Sequence, residues 1–263
     1  MKHTHYFIPV LYKPKENILN LFSVLAHFST IVVSNDSQLP ASSTSEFLMI
    51  KKKNIGFSGG ANAGIQAALS HGAEWMTIVN QDIHVDSPAL ASYLEELKPL
   101  PPGIYGPKKG FINKHRWTSI LTDRKSPFAL ENLEYISGSF FSIHREVIKQ
   151  VGMFYEPYFL YYEDVDLSIR AQKRGLKLAR INLKGFTHTE SSTLGRESFL
   201  HQYYLARNHL LFVERQAPVG IKAREFARLP KTIWEHYEKK ERGSLVGVRD
   251  YFFRRFGGYK HTL

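Results

Sequence analysis

Short apolar runs and stretches of helical spacing take turns along the chain. HYFIPVL (5–11) is an unbroken apolar run of strand length. From Glu16 to Phe28, apolar residues fall at Ile18, Leu21, Phe22, Leu25 and Phe28, three and four apart, which predicts an amphipathic helix. TIVVSN (30–35) predicts a second strand and FLMI (47–50) a short third. NIGFSGGANAGIQAALSHG (54–72) opens as a glycine-rich turn, continues as an alanine-rich helix and stops at Gly72. WMTIVNQD (75–82) is an apolar strand with a polar end. Strand–helix–strand alternation on this scale predicts a parallel α/β sheet, and ligands of such sheets lie beyond the carboxyl ends of the strands. Ser34-Asn35-Asp36 and Asn80-Gln81-Asp82 fall at two such ends.

Residues 99–132 are rich in Pro, Gly and Lys and predict loops with an irregular hairpin. EYISGSFFSIH (134–144) reads as a strand interrupted by Gly138, and REVIKQVG (145–152) as a short helix closed by Gly152. A helix is predicted from Glu163 to Arg174, a strand over LKLARI (176–181) and a longer helix from about Arg196 to Arg215. Beyond Pro218 two further helical pieces are predicted, near 221–241 and 245–256. There is no internal repeat and no low-complexity tract.

With 263 residues, one large domain or a domain with an appendage is expected. No stretch of about 18 uncharged apolar residues occurs, so a spanning helix is not expected. The first residues lack the apolar core and cleavage site of a signal peptide. With no cysteine, disulfides and zinc–thiolate sites are excluded, and a cytoplasmic location is expected. The net charge of +11 is unevenly placed. From Gly220 to Leu263 eleven Lys or Arg face five Asp or Glu, so the tail invites an anionic partner: membrane, nucleic acid or phosphate.

Several residue groups could carry chemistry, each with a plainer alternative. Gly56, Gly59, Gly60 and Gly64, with Asn54 and Asn62, could admit a ligand close to the backbone or could form only a tight turn. Asp82 could hold a divalent ion together with a diphosphate, or could cap a turn. In YYEDVDLSIRAQKRG (161–175), Asp164 could serve as general base toward a hydroxyl with Glu163 in support, or these carboxylates could merely suit a helix start. Asp166 and Arg170 are spaced as an i,i+4 pair and are expected to be structural. His188 is a candidate nitrogen ligand or a satisfied core histidine. Arg207, with Asn208, could bind a phosphate or a sugar hydroxyl, and Trp117 could stack on a sugar face or belong to the core.

The pieces stand in a familiar order. NIGFSGGANAGI resembles the N-x-G-F-x-x-G-x-N-x-G stretch of family 2 glycosyltransferases, in particular their rhamnosyltransferase-like branch. IVNQD is similar to that family's N-P-D form of the DxD motif, with Gln81 in the place of proline. ISGSFFSIHREVIKQVGMFYEPYFLYYEDVDLSIRAQKRG resembles its large acidic block, with Tyr155 where Asp is usual; FTHTESST and YYLARN echo two later blocks. The resemblance spans roughly residues 5–215.

It implies an α/β GT-A fold, Rossmann-like, with a mostly parallel central sheet. The GT-A domain would occupy 1–217, nucleotide-binding over about 1–98 and acceptor-binding over about 99–217, followed by a basic helical extension over 218–263. It implies inverting transfer of a sugar, rhamnose among the candidates, from a dTDP- or UDP-sugar to a hydroxyl of a glycan or polyprenyl-linked acceptor. By resemblance Asp164 is the catalytic base and Glu163 its support, while Asp82 and His188 hold Mg²⁺ or Mn²⁺. The donor residues would be Pro9, Val10, Tyr12, Asn35, Asn54, Gly56, Phe57, Asn62, Gln81 and Arg207. The acceptor residues would be Gly138, Ser139, Trp117 and Tyr162. VSNDS is similar to the V-D-N-x-S nucleotide segment but carries Ser34 in place of Asp, a departure at the base-recognition position.

RDYFFRRFGGYKH alternates cations with aromatics, as interfacial membrane segments do, so contact with an anionic membrane at the inner face of the plasma membrane is one expectation and a solvated helical cap the other. A homodimer is compatible with the sequence. Two other functions compete: a non-catalytic nucleotide-sugar binder on the same fold, and a basic nucleic-acid-binding protein, which leaves the acidic block unexplained.

Overall fold

The computed structural model describes residues 4–15, 18–36, 46–113, 115–121, 129–188 and 198–260. In chain order the elements are β1 (His5–Leu11), α1 (Ile18–Leu25), β2 (Ile31–Asn35), β3 (Leu48–Lys52), α2 (Gly56–Ser70), β4 (Trp75–Asn80), β5 (Ile83–His84) and α3 (Ser87–Leu97). Then come β6 (Gly103–Gly106), β7 (Lys109–Asn113), β8 (Ser119–Leu121), β9 (Ala129–Ile136), β10 (Phe140–His144), α4 (Arg145–Val151) and a 3-10 turn, Glu156–Tyr158. The last are α5 (Glu163–Lys173), β11 (Lys177–Arg180), β12 (Thr187–His188), α6 (Phe199–Gln216), α7 (Val219–Glu238) and α8 (Arg242–Phe252).

Seven strands form the central sheet in the order β11-β6-β10-β4-β1-β2-β3. All neighbours run parallel except β10, which is antiparallel to both β4 and β6. The mostly parallel α/β architecture expected from the sequence is therefore present. Apolar side chains cover both faces, as a parallel sheet requires. One face packs on α2 and α4 through Ile8, Val33, Ile65, Ile78, Phe141 and Val147. The other packs on α1 and α3 through Phe7, Leu21, Leu25, Val79, Tyr93 and Phe140. A third cluster joins α5, α6 and α8 around Tyr158, Ile169, Leu211, Phe212 and Tyr251.

The glycines of α2 serve this packing. A Cβ on Gly64 would sit 2.2 Å from Ile8 Cγ2, and one on Gly60 would sit 2.7 Å from Val10. The helix therefore lies directly on β1 and β2. Gly56 alone in this run has a positive φ, +77°, and a Cβ there would strike Phe159 at 2.5 Å.

Three expectations change. Helix α3 was not foreseen; it is capped by Asp86, whose side chain accepts from Ala89 N–H at 2.7 Å, with Pro88 in its first turn. The stretch expected to be loops and a hairpin supplies β6 to the central sheet and β7 and β8 to a small three-stranded sheet. The strand predicted over 134–144 is two strands, β9 and β10, because the chain changes sheet at Ser137-Gly138-Ser139. The basic tail is helical, as the sequence predicts, and α8 lies along α6 with Gly243 and Gly247 against the backbone of Phe199 and Tyr203. The predicted helix start at Glu16, the start of the long helix at Arg196, the loop at 122–128 and residues 189–193 of FTHTESST lie outside the described residues. Among the described residues no helix is long and apolar enough to cross a membrane.

Candidate active site

One large cavity, about 790 Å³, opens beyond the carboxyl ends of β1, β2 and β4. Asp82 and Asp164, far apart in sequence, both line it, and Glu163 and His188 line it with them. Its size is within the usual range for cofactor and substrate sites.

The acidic wall belongs to the first turn of α5. Asp164 Oδ2 accepts from Gly138 N–H at 2.7 Å and Oδ1 from Val165 N–H at 2.8 Å. Gly138 allows this approach, since a Cβ there would crowd the Asp164 side chain at 3.2 Å. Burial raises the Asp164 pKa, while these N–H donors oppose the rise. Glu163 is only 5 % exposed, and its Oε2 has no hydrogen-bond partner. Burial, and then the charge of Asp164, push the Glu163 pKa well above its ordinary value. Two adjacent carboxyls in unequal surroundings divide the roles: Asp164, held by two N–H groups, ionises first, and Glu163 keeps its proton longer. Tyr161 is pushed to about 12 by burial and by the nearby Glu163 and Asp82 charges.

The loop before α5 is bent sharply. Phe159, Tyr161 and Tyr162 have φ of 67°, 69° and 74°, unfavourable for residues with a Cβ. Side chains of α6 hold it there. Asn208 Nδ2 donates to the carbonyls of Tyr158, Leu160 and Tyr161 at 2.9, 2.7 and 3.0 Å. Arg207, fully buried, donates to the carbonyls of Pro157 and Tyr158 at 3.2 and 2.9 Å. Asp166 anchors the following turn: its buried carboxylate accepts from Arg170 Nε at 2.7 Å, Gln216 Nε2 at 2.8 Å and Arg215 Nε at 3.2 Å. This agrees with the structural role expected of the Asp166–Arg170 pair.

The opposite wall is built by β-pairing. The ribbon β5–β12 pairs Ile83 with His188, which sets His188 beside Asp82. His188 Nε2 lies 3.0 Å from Asp82 Oδ1 and 3.4 Å from Asn80 Nδ2. Among the described residues no group of three or more His, Cys, Asp or Glu side chains converges as a metal cage. One carboxylate and one imidazole are a donor set suited to an ion whose remaining ligands come from a substrate diphosphate.

The expected donor residues divide. Val10, Tyr12, Asn35, Asn54, Gly56, Phe57 and Gln81 line the cavity. Asn35 also fixes the glycine turn: its Oδ1 accepts from Ile55 N–H and its Nδ2 donates to Gly56 O, both at 2.9 Å. Gln81 spends its amide on the Tyr12 backbone, accepting from Tyr12 N–H at 2.8 Å and donating to Tyr12 O at 3.0 Å. Three donor assignments do not match the geometry. Pro9 is buried in β1, away from the cavity lining. Asn62 is buried too, and it clasps the Phe154 backbone at 2.9 and 3.0 Å and Glu156 at 3.0 Å. Arg207 is committed to backbone carbonyls, so it positions a loop instead of facing a ligand. Of the expected acceptor residues, Gly138, Ser139 and Tyr162 line the cavity; Trp117 is 3 % exposed, stacks on Phe212 at 6.5 Å and belongs to the third core cluster.

Asn80, Ser119, Ser137, Tyr204, Tyr259 and Lys260 line the cavity without having been singled out as site residues. Asn80 sits in the quoted IVNQD stretch; the others come from elements whose packing a sequence pattern does not reveal.

No protein-family model matches the chain. It is 25 % identical over 227 residues to the low-salt glycan biosynthesis hexosyltransferase Agl10 of Haloferax volcanii, covering 78 % of this chain and 73 % of that protein. It is 30 % identical over 99 residues to the N-acetylglucosaminyl-diphospho-decaprenol L-rhamnosyltransferase of Mycobacterium tuberculosis. That match covers 38 % of this chain and under a third, 31 %, of the relative. Among solved structures, S. aureus TarS 1-349 in complex with UDP-GlcNAc superposes with a TM-score of 0.52 at 13 % identity, over 94 % of this chain and 80 % of that one. Another structure of TarS 1-349 gives 0.50 at 13 % identity, over 96 % and 73 %. The chain thus has the mixed α/β fold of GT-A type shared with TarS, and in sequence it is similar to proteins named as a glycan hexosyltransferase and a rhamnosyltransferase.

Proposed function

We propose that the chain transfers a hexose or deoxyhexose, rhamnose among the candidates, from a nucleoside-diphosphate sugar to a hydroxyl of a glycan or polyprenyl-linked acceptor, with inversion. The observation that carries this is the meeting of Asp82 and Asp164 in one cavity. The acceptor hydroxyl attacks the anomeric carbon, the bond from that carbon to the diphosphate oxygen breaks, and the hydroxyl proton passes to Asp164. A single ionised carboxylate suffices for direct displacement, whereas retention through a covalent intermediate normally employs two. Glu163, which burial biases toward its protonated form and whose Oε2 is unpartnered, is suited to hydrogen-bond the acceptor. One relative is named for low-salt glycan biosynthesis and the other for a diphospho-decaprenol acceptor, which supports a glycan or lipid-linked glycan as the product.

Asp82 and His188 would hold Mg²⁺ or Mn²⁺ against the diphosphate. Bound there, such an ion would neutralise charge on the leaving group. Asp82→Ala is expected to weaken Mn²⁺-dependent binding of a nucleotide-sugar at least about tenfold. Calorimetric titration of UDP-GlcNAc and dTDP-rhamnose with and without Mn²⁺ checks this; an unchanged Mn²⁺ response in the variant removes Asp82 from the assignment.

The tail supports peripheral attachment to an anionic membrane. Trp234, Tyr237, Phe252 and Phe253 are 62, 64, 53 and 65 % exposed. Cations are interleaved with them in sequence at Lys231, Lys239, Lys240, Arg254 and Arg255. Replacing all four aromatics with Ser is expected to release the protein from phosphatidylglycerol vesicles in a flotation assay. Equal flotation of both forms would end the membrane reading.

A further inference from the structure

The cavity is short of positive charge. Asp82, Glu163 and Asp164 line it, and among the described lining residues Lys260 is the one lysine or arginine. A nucleoside diphosphate brings negative charge in, and its terminal phosphate gains more when the bond to the sugar breaks. A cation beside it favours both binding and departure.

The packing of the tail sets Lys260 there. Arg207, the side chain that holds the loop before α5, also donates to Gly257 O at 2.7 Å, and Gly257 N–H donates to Pro157 O at 3.1 Å. Two residues on, Tyr259 N–H donates to the Tyr204 hydroxyl at 2.9 Å, and the Tyr259 ring packs on Tyr203 and Phe199 at 4.9 and 5.3 Å. Gly258 lies against Phe159, which stacks on Tyr204 at 5.4 Å and also roofs Gly56. Tyr204 is in turn close enough to Tyr12 for the two phenols to interact. The end of the tail is thus fixed on the side of Gly56 and Tyr12, the donor side of the cavity. Side-chain contacts hold every residue from Gly257 to Tyr259, and the next residue is an exposed cation on the cavity rim.

We infer that Lys260 is a donor-binding residue whose ammonium pairs with the diphosphate of the nucleotide-sugar, the task expected of Arg207 in the sequence. The inference rests on the nucleotide-donor reading given above. Because Lys260 is exposed, its replacement leaves the core intact.

The test is calorimetric binding of UDP, dTDP, GDP, CDP and ADP, and of the matching nucleosides, to the full chain as wild type, Lys260→Gln and Lys260→Arg. At least one diphosphate is expected to bind the wild type. Lys260→Gln should then bind it about tenfold more weakly, with the nucleoside affinity unchanged and a shallower dependence on salt. Lys260→Arg should stay within about threefold of the wild type. A Lys260→Gln chain that binds the diphosphate like the wild type, or that loses nucleoside and diphosphate affinity together, overturns the role of Lys260 and leaves the donor reading standing. A wild type that binds none of the five overturns the donor reading and this inference with it.

Discussion

Asp164→Asn is expected to lower turnover by about 10²–10⁴-fold while nucleotide-sugar affinity stays within a few fold of the wild type. The amide keeps the size of the carboxylate, so the cavity wall is preserved. It cannot take up the hydroxyl proton, which is the contribution withdrawn. The pH profile adds a second signature. Burial raises the Asp164 pKa, and only the ionised form is a base, so the rate should climb as pH rises through a value above that of an ordinary aspartate. That acid limb should disappear in the variant. A steady-state assay with a radiolabelled donor checks both points. Wild-type turnover in Asp164→Asn would remove this residue from the base role.

Arg207→Met should cost about 4 kcal/mol of stability, among the larger effects a single replacement produces. The guanidinium is fully buried and supplies the donors for the carbonyls of Pro157, Tyr158 and Gly257. It also stands over the rings of Tyr203 and Tyr204 at 5.1 and 5.0 Å. Its charge is balanced through Tyr203, whose hydroxyl donates to the buried carboxylate of Asp250 on α8 at 3.0 Å. Methionine fills part of the volume but removes the donor to the Gly257 carbonyl, and leaves the Pro157 and Tyr158 carbonyls only their bonds from Gly257 N–H and Asn208 Nδ2. A chain of this size should lose about 8–15 °C in melting temperature for such a change. A fall under about 3 °C would show that the arginine is dispensable to the fold.

These two residues show how far the sequence could be read. Asp164 was legible because its neighbours are diagnostic: an apolar aromatic approach, a packed acidic turn and a helix with an i,i+4 ion pair at Asp166 and Arg170. The strands β1, β2 and β4 were legible because each is a continuous apolar run, the pattern of a strand buried on both faces. Arg207 was identified as a special residue and given the wrong neighbour. Its ligands are backbone carbonyls of a loop about fifty positions away, and a side chain's type does not say whether its partner is a substrate or the chain itself. Asn62 misled in the same way, since it faces the Phe154 backbone. Trp117 is apolar enough for the core and is there, against Phe212.

Helix α3 was not foreseen although its signals are local: Asp86 as cap and Pro88 in the first turn. Strands β7 and β8 pair with each other as the expected hairpin, whereas β6 escaped because it is short and set among prolines and glycines, and its partners β10 and β11 lie far along the chain. Lys260 follows the same logic. Nothing local distinguishes it from the other tail cations, and only the clamp on Gly257 and Tyr259 brings it to the cavity.

The central claim is that one cavity holds the donor's diphosphate at Asp82 and presents the donor sugar to Asp164. A crystal structure of the chain grown with Mn²⁺ and the diphosphate that binds most tightly tests this most directly. Phosphate density is expected between the Asp82–His188 pair and Lys260, with the nucleoside reaching toward Tyr12 and the Asp164 carboxylate facing the space beyond the terminal phosphate. Nucleotide density anywhere outside this cavity, or a terminal phosphate turned away from Asp164, would contradict it.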